Sequence, residues 1–301
     1  MGSPTLSIVV PTRNRPDHAS ACALSILKSD RFRELVFVDQ SDGPETTDAL
    51  AALNEPRLRS VRSPLRGATN ARNTGIDACT GELIAFTDDD CRVNHDWVDG
   101  ILNIFTTDPK AAIICGRVRA PTSLKEQGFV TEFEPEVREW VGRFPPPDRD
   151  WGLTANFAVR RAVFDDIGRF DALLGVGAPL LAGEEPDFLI RALTRGYKVV
   201  NAREVEVEHL GLRNHGEQSS QLWRAYGAGT AAALMKHVRL GDRAAAMLCL
   251  KHLELMAGGI YNNLRDGKRP IGVAYTVAFF SGALSSLKFR VNAKDRLYER
   301  R

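Results

Sequence analysis

Along the first ninety residues, short apolar runs alternate with longer stretches in which apolar positions return every three or four residues. Residues 6–10 have the length and apolar character of a strand, and Pro16 and Asp17 then open a helical pattern through Leu24 and Leu27. The loop between them is Pro11-Thr12-Arg13-Asn14-Arg15. The unit repeats: residues 35–38 form a second apolar run that ends in Asp39 and the turn Gln40-Ser41-Asp42-Gly43, and 46–53 reads as a helix. A third strand over 57–61, a helix over 67–79 and a strongly apolar fourth strand over 82–87 follow, and the last stops at Asp88-Asp89-Asp90. Strands alternating with helices predict a parallel sheet, in which ligands bind beyond the carboxyl ends of the strands. The notable loops all fall on that edge.

The pattern then predicts a helix over 97–105 and a strand over 111–118. Residues 121–150, rich in Pro, Glu and Arg, read as a mobile cover. Order returns with a strand over 152–159, a helix over 161–167, a Gly-rich loop over 174–183, a helix from Glu184 to about Arg195 and two strands, 198–201 and 204–209. Helices over 219–239, 242–264 and 271–287 complete the chain, and nothing in them points to site chemistry. The expected organisation is an α/β unit over 1–215, with halves 1–118 and 119–215, and a helical extension over 216–301.

Composition is that of an ordinary globular chain, 44% hydrophobic and 26% charged, which excludes wholesale disorder. Five cysteines, an odd set, lack CxxC spacing, so neither a disulfide framework nor a structural zinc site is expected, and a reducing cytoplasm without export is. A net charge of +2 hides an asymmetry: residues 236–301 carry 13 Lys and Arg against 5 Asp and Glu. Apolar stretches flanked by Lys268, Arg269, Lys288 and Arg290 fit an interfacial segment drawn to anionic lipid, peripheral on the inner face of a membrane. A helical cap or a homodimer contact is the alternative. The run 273–287 is about fifteen residues, short of the roughly 20 that span a bilayer. Without aromatic interleaving, the basic tail gives no case for nucleic acid.

Three consecutive carboxylates at a strand end raise one another's pKa unless something neutralises them, and a divalent cation is the natural partner. Magnesium and manganese prefer oxygen ligands and leave positions open for diphosphate oxygens. Asp88 and Asp90 share a face if the chain stays extended. Glu184, Glu185 and Asp187 crowd the first turn of a helix, where acids also favour the helix dipole, but the preceding Gly175, Gly177 and Gly183 let backbone approach a substrate and favour a general base. His209, at the end of an alternating strand, is either a buried side chain or the nitrogen member of a mixed coordination sphere. Arg13, Arg15 and Arg72 are suited to phosphate, and Asp39 to a base or ribose hydroxyl. Asp187 and Arg191 are spaced for a helix ion pair.

Taken together, Ser7-Ile8-Val9-Val10-Pro11-Thr12-Arg13-Asn14-Arg15, Val38-Asp39, Gly67 with Ala71-Arg72-Asn73-Thr74-Gly75, Phe86-Thr87-Asp88-Asp89-Asp90, Phe170-Asp171, Gly183-Glu184-Glu185 and His209 resemble the family 2 glycosyltransferases over residues 6–211. The resemblance implies a GT-A fold: a Rossmann-like, mostly parallel nucleotide-binding sheet continuous with an acceptor-binding half, here followed by a helical tail. It implies that Pro11, Thr12 and Arg13 line the nucleotide, Asp39 binds the base, and Arg72 lies near the base or diphosphate. Asp88 and Asp89 belong to the donor-binding acidic triad, with Asp88 facing ribose or metal; Asp90 is the main metal ligand with His209, and Asn156 sits near the donor. Glu185 occupies the position of the catalytic base, in a Glu-Glu pair where the family commonly has Glu-Asp, so Asp187 is the second candidate. Gln221-Leu222-Trp223-Arg224-Ala225 lacks the final Trp of the processive synthases, favouring single addition.

The implied reaction is inverting transfer from a nucleoside-diphosphate sugar, with Mn2+ or Mg2+, to a hydroxyl of a glycan, lipid-linked or small-molecule acceptor. A sugar-nucleotide nucleotidyltransferase would carry a Gly-rich N-terminal loop, which residues 11–16 lack. A non-catalytic nucleotide-sugar-binding protein would be favoured by incomplete acid clusters.

Overall fold

The computed structural model describes residues 4–136, 139–142, 144, 151–214, 216–267 and 272–301. Its first half comprises β1 (Leu6–Thr12), α1 (Pro16–Ile26), β2 (Glu34–Asp39), α2 (Glu45–Ala51), β3 (Leu58–Arg62), α3 (Ala68–Ala78), β4 (Leu83–Thr87), β5 (Cys91–Val93), α4 (Trp97–Thr107) and β6 (Ala111–Arg119). Next come α5 (Thr122–Lys125), β7 (Glu139–Trp140), β8 (Asn156–Arg160), α6 (Arg161–Ile167), α7 (Glu184–Thr194) and β9 (Lys198–His209). The tail holds α8 (Glu217–Arg239), α9 (Arg243–Arg265), α10 (Val273–Ser286) and the hairpin β10 (Arg290–Asn292) and β11 (Leu297–Glu299).

Among the described residues one mixed sheet runs β3-β2-β1-β4-β8-β6-β9-β5, with β7 added on β9. β1 to β4 are mutually parallel, and β8 is antiparallel to both β4 and β6. Ile8, Val9, Val36, Phe37, Ala85 and Phe86 are buried, as expected of strands covered on both faces, which read as unbroken apolar runs. Phe86, Phe157, Phe164, Phe170 and Phe188 form an edge-to-face and tilted cluster, with centroids as close as 4.7 Å between Phe170 and Phe188. That cluster fixes α6 and α7 on the sheet and so sets where α7 begins.

The two strands expected over 198–209 are one. Opposite β6 the register jumps from Gly116↔Ala202 to Arg117↔Glu206, so Arg203, Glu204 and Val205 bulge where the alternation breaks, and pairing resumes beyond them. The stretch expected as a mobile cover is, where described, tied down: Phe133 bridges Val118, Phe129 bridges Arg213, and Val130 and Phe133 are buried. Residues 145–150 of that stretch, and the tail's Lys268 and Arg269, lie outside the described residues.

The tail is locked to the α/β unit by buried ions. Lys236 Nζ of α8 lies 2.7 Å from Asp171 Oδ2 and 2.6 Å from Asp187 Oδ1, and His237 Nε2 is 2.9 Å from the same Asp187 oxygen. Asp171 also accepts the Tyr298 N–H of β11 at 2.8 Å and the Leu173 N–H at 3.0 Å. Removing one partner of a buried, hydrogen-bonded pair strands the others. Asp171→Ala is therefore expected to lower unfolding free energy by about 3 kcal/mol in denaturant titration, and to speed proteolysis of the segment after residue 216.

Candidate functional site

The carboxyl ends of β1, β2 and β4 open into a cleft of about 700 Å³. Pro11, Thr12, Arg13, Arg15, Gln40, Arg66 and Gly67 line one side, Asp88, Asp89 and Asp90 the floor, and Glu184, Glu185 and His209 the far side. Leaving the β4 strand, Asp88 has its own partner, while Asp89 and Asp90 share one. Arg72 Nη2 reaches Asp88 Oδ1 at 2.8 Å, and Thr12 Oγ1 donates to Asp89 Oδ2 at 2.8 Å. Arg15 Nη1 bridges Asp89 Oδ1 at 3.0 Å and Asp90 Oδ2 at 3.1 Å.

β5, too short to carry any periodicity, makes the remaining link. Cys91 pairs with His209 across β5 and β9, and the Leu210 N–H donates to Asp90 O at 2.8 Å. This places His209 Nε2 3.4 Å from Asp90 Oδ1. The other ring nitrogen, Nδ1, lies 2.9 Å from Thr131 O, and a carbonyl can only accept, so Nδ1 carries a proton; in the imidazolium form Nε2–H also faces the carboxylate, and loss of that second proton frees Nε2 as a ligand. Metal-binding histidines are oriented in this way by an outer hydrogen bond. Burial pushes Asp90 up, but the hydrogen bond and charge of His209, with Arg15, hold it at about 2. His209 is shifted the opposite way: burial lowers it and Asp90 more than restores it, leaving it raised.

Among the described residues, Asp90, Cys91 and His209 form the group whose potential ligand atoms lie within 4.8 Å of one another. Burial drives the Cys91 thiol well above its ordinary range, so it stays protonated, and the usable donors are the Asp90 carboxylate and His209 Nε2. A mixed O and N set with positions left for phosphate oxygens fits Mn2+ or Mg2+. Asp88 is not in that group; Arg72 draws it aside, and it faces the cleft as a candidate acceptor for a ribose hydroxyl.

On the far side Gly183 caps α7 in the left-handed region, φ 95°. A side chain there would run into the Gly229 backbone of α8 at 2.4 Å, so the start of α7 is pressed directly on the tail. The two glutamates of that turn differ. Glu184 is buried beside Arg72, with Nη1 to Oε1 at 3.5 Å, and burial together with the neighbouring charge of Glu185 pushes its carboxyl well above the usual range, which Arg72 only partly offsets. Glu185 borders the cleft, held by the Thr154 N–H at 3.1 Å and hydroxyl at 2.9 Å, both donating to Oε1. Oε2 is left to meet a substrate.

Four sequence-based assignments need correction. Asp187 cannot serve the cleft: it is fully buried, and Lys236, Arg191 and His237 overcome the effect of burial and hold it far below the usual carboxylate range. Its expected pairing with Arg191 is present at 3.2 Å. Asp39 is also fully buried, accepting from the Ser41 N–H, the Thr47 hydroxyl and Arg62, and Gln40 lines the cleft in its place. Asn156 is a structural brace: its Oδ1 accepts from Trp97 Nε1 at 2.9 Å, and its Nδ2 donates to Arg117 O at 2.7 Å and Val205 O at 2.9 Å. Finally, the tail helices do contribute to the site. Leu222, Trp223, Tyr226, Thr230, His252 and Tyr275 line the cleft opposite the aspartates.

The residues 7–168 match the model of the family described as "Glycosyl transferase family 2". The glycosyltransferase AglE of Haloferax volcanii is 24% identical over 215 residues, covering 67% of this chain and 66% of that protein. Across the first curated relatives the matched share of their own length runs from 19% to 66%, so the chain spans less than two-thirds of each. A mannosyltransferase from Pyrobaculum calidifontis, solved in complex with GDP-Man and Mn2+, superposes with a TM-score of 0.60 at 15% identity, over 95% of this chain and 87% of that one. The S. aureus protein TarS, residues 1–349, in complex with UDP-GlcNAc, gives 0.62 at 15% identity, over 94% and 81%. The likeness establishes the GT-A architecture expected from the sequence.

A carboxyl whose pKa is raised by folding contributes stability below its unfolded value, and that contribution is lost as pH rises through the folded value. Glu184 is such a group. Glu184→Gln should leave the melting temperature close to wild type at about pH 5 and exceed it by roughly a few degrees at about pH 9, measured by calorimetry without divalent cations. A constant difference across that range would contradict the assigned shift.

Proposed function

Because the chain belongs to glycosyltransferase family 2, we propose that this cleft transfers a glycosyl group from a nucleoside-diphosphate sugar to an acceptor hydroxyl by direct displacement, with inversion. The observation that carries the reading is the pairing of Asp90 with a His209 oriented by Thr131, across the cleft from a tethered Glu185. In this reading residues 1–118 hold the donor, 119–215 supply the acceptor half, and 216–301 wall the acceptor side.

Pro11, Thr12 and Arg13 border the nucleotide, and Arg13, Arg15 and Arg66 offer guanidinium groups to the diphosphate. Asp90 and His209 would hold the divalent cation. When bound, that cation neutralises the charge of the departing diphosphate. Glu185 takes the acceptor hydroxyl's proton on Oε2 while Thr154 fixes Oε1. Burial and the neighbouring Glu185 raise the Glu184 carboxyl and so favour its neutral form beside the base. A single base acting from one face implies inversion and needs no covalent intermediate; the transition state has oxocarbenium character by analogy with glycoside hydrolysis.

The test is turnover and binding of UDP-, GDP- and dTDP-sugars with and without Mn2+. Asp90→Ala is expected to abolish the metal-dependent gain in donor affinity, and Glu185→Gln to lower turnover roughly 10²- to 10⁴-fold with donor affinity kept. Full activity of Glu185→Gln, or turnover indifferent to chelation, would overturn the assigned roles.

A further inference from the structure

The two outermost tail helices are inside out. On α10 the large apolar residues that face solvent are Val273, Val277, Phe280, Leu284 and Leu287, spaced four, three, four and three apart, so they form one stripe. The opposite face, with Phe279, Gly282 and Ser286 buried, packs on α8; a side chain at Gly282 would strike Ala228 O at 2.1 Å. On α9 the outward positions Met247, Leu250, Tyr261 and Leu264 continue the pattern. Val277, Leu284, Leu250 and Tyr261 are each more than 60% exposed, although the chain has ample polar residues to put there. An exposed apolar stripe such as that of α10 marks an interaction site.

Charge decides what covers it. No Asp, Glu, Lys or Arg occurs between residues 272 and 287, while among the described residues the exposed charges along or just beyond the two helices are Arg243, Lys251, Arg265, Lys288 and Arg290 against Glu254 and Asp266, Asp242 being half-buried and paired with Arg296. Two copies meeting through these faces would bring like charges together, whereas an anionic bilayer complements both the apolar stripe and its basic rim. No helix among the described residues is long and apolar enough to cross a membrane, so the contact is with the surface. The same two helices send His252 and Tyr275 inward to line the cleft, with the His252 Nε2 and Tyr275 hydroxyl hydrogen-bonded at 2.9 Å.

We propose that the outer faces of α9 and α10 seat the protein on an anionic lipid surface and thereby hold the acceptor side of the cleft against the bilayer, so that the acceptor is an amphiphile presented from it. The choice of acceptor rests on the glycosyl-transfer reading; the docking face does not.

The experiment is sedimentation of the full chain with vesicles of phosphatidylcholine alone and of phosphatidylcholine with phosphatidylglycerol, comparing wild type with the triple variant Val277→Asp, Phe280→Asp, Leu284→Asp. Wild type is expected to partition onto the anionic vesicles, less so at high salt, and the variant to lose at least tenfold in partitioning while keeping its melting temperature and its turnover of soluble donor. Absence of partitioning by wild type, or equal partitioning by the variant, would overturn the proposal. So would a wild-type dimer that the variant converts to monomer, since the face would then be a seam between copies. Docking without any donor turnover would count against the catalytic reading and leave the docking face standing.

Discussion

Five carboxylates, Asp88, Asp89, Asp90, Glu184 and Glu185, converge on one edge of the sheet, and the nearest cations to them are Arg15, Arg72 and His209. In a partly buried site that excess of negative charge is held only by unequal sharing. Arg72, itself buried, takes Asp88 and Glu184; Arg15 takes Asp89 and Asp90; burial pushes Asp89 up to about 6 and raises Glu184 further. Asp90 stays ionised and points at His209. The site thereby holds one carboxylate facing His209, neighbours whose charge is shared with arginines or disfavoured by burial, and a tethered Glu185, an arrangement that suits the proposed displacement of a nucleoside diphosphate.

Holding that edge together demands rigidity behind it. The aromatic cluster around Phe170 and Phe188 fixes α7 on the sheet, and the buried Asp187, Lys236, His237 and Asp171 network pins α8 to α7 from the other side. The close approach of Gly183 and Gly229 leaves the first turn of α7 no room to shift. The tail is therefore part of the cleft: it presses on the first turn of α7, walls the cleft with Trp223, Tyr226 and Tyr275, and still turns an apolar face outward.

The half of the fold that the sequence reveals most clearly is the half buried on both faces. β1, β2 and β4 appear as apolar runs leading into Pro11, Asp39 and Asp88, with β1 two residues longer than its run, and the order of loops on one edge follows from alternation with helices. Asp90 and His209 stand out because they follow expected strands and Glu185 because it opens an expected helix, whereas Arg72 lies inside α3 and is singled out by residue type and by the family resemblance. What the sequence hid depends on long-range contact. β5 is three residues with no period of its own, Thr131 and Thr154 act through positions set by the sheet, and Trp223 and Tyr275 enter the cleft from helices whose pattern says only that they are helical. Asp187 and Asn156 misled for the same reason: a polar residue near a site in sequence is equally a polar residue able to brace the core, and only the partners distinguish the two.

The central claim, that the acidic edge binds a divalent cation together with a nucleoside diphosphate, is tested most directly by the electron paramagnetic resonance of Mn2+ titrated into the wild-type chain with UDP, GDP or dTDP. Loss of the free-ion signal with at least one of the three, at one ion per chain and absent in His209→Ala, is the predicted result. A free-ion signal unchanged by all three nucleotides would contradict it.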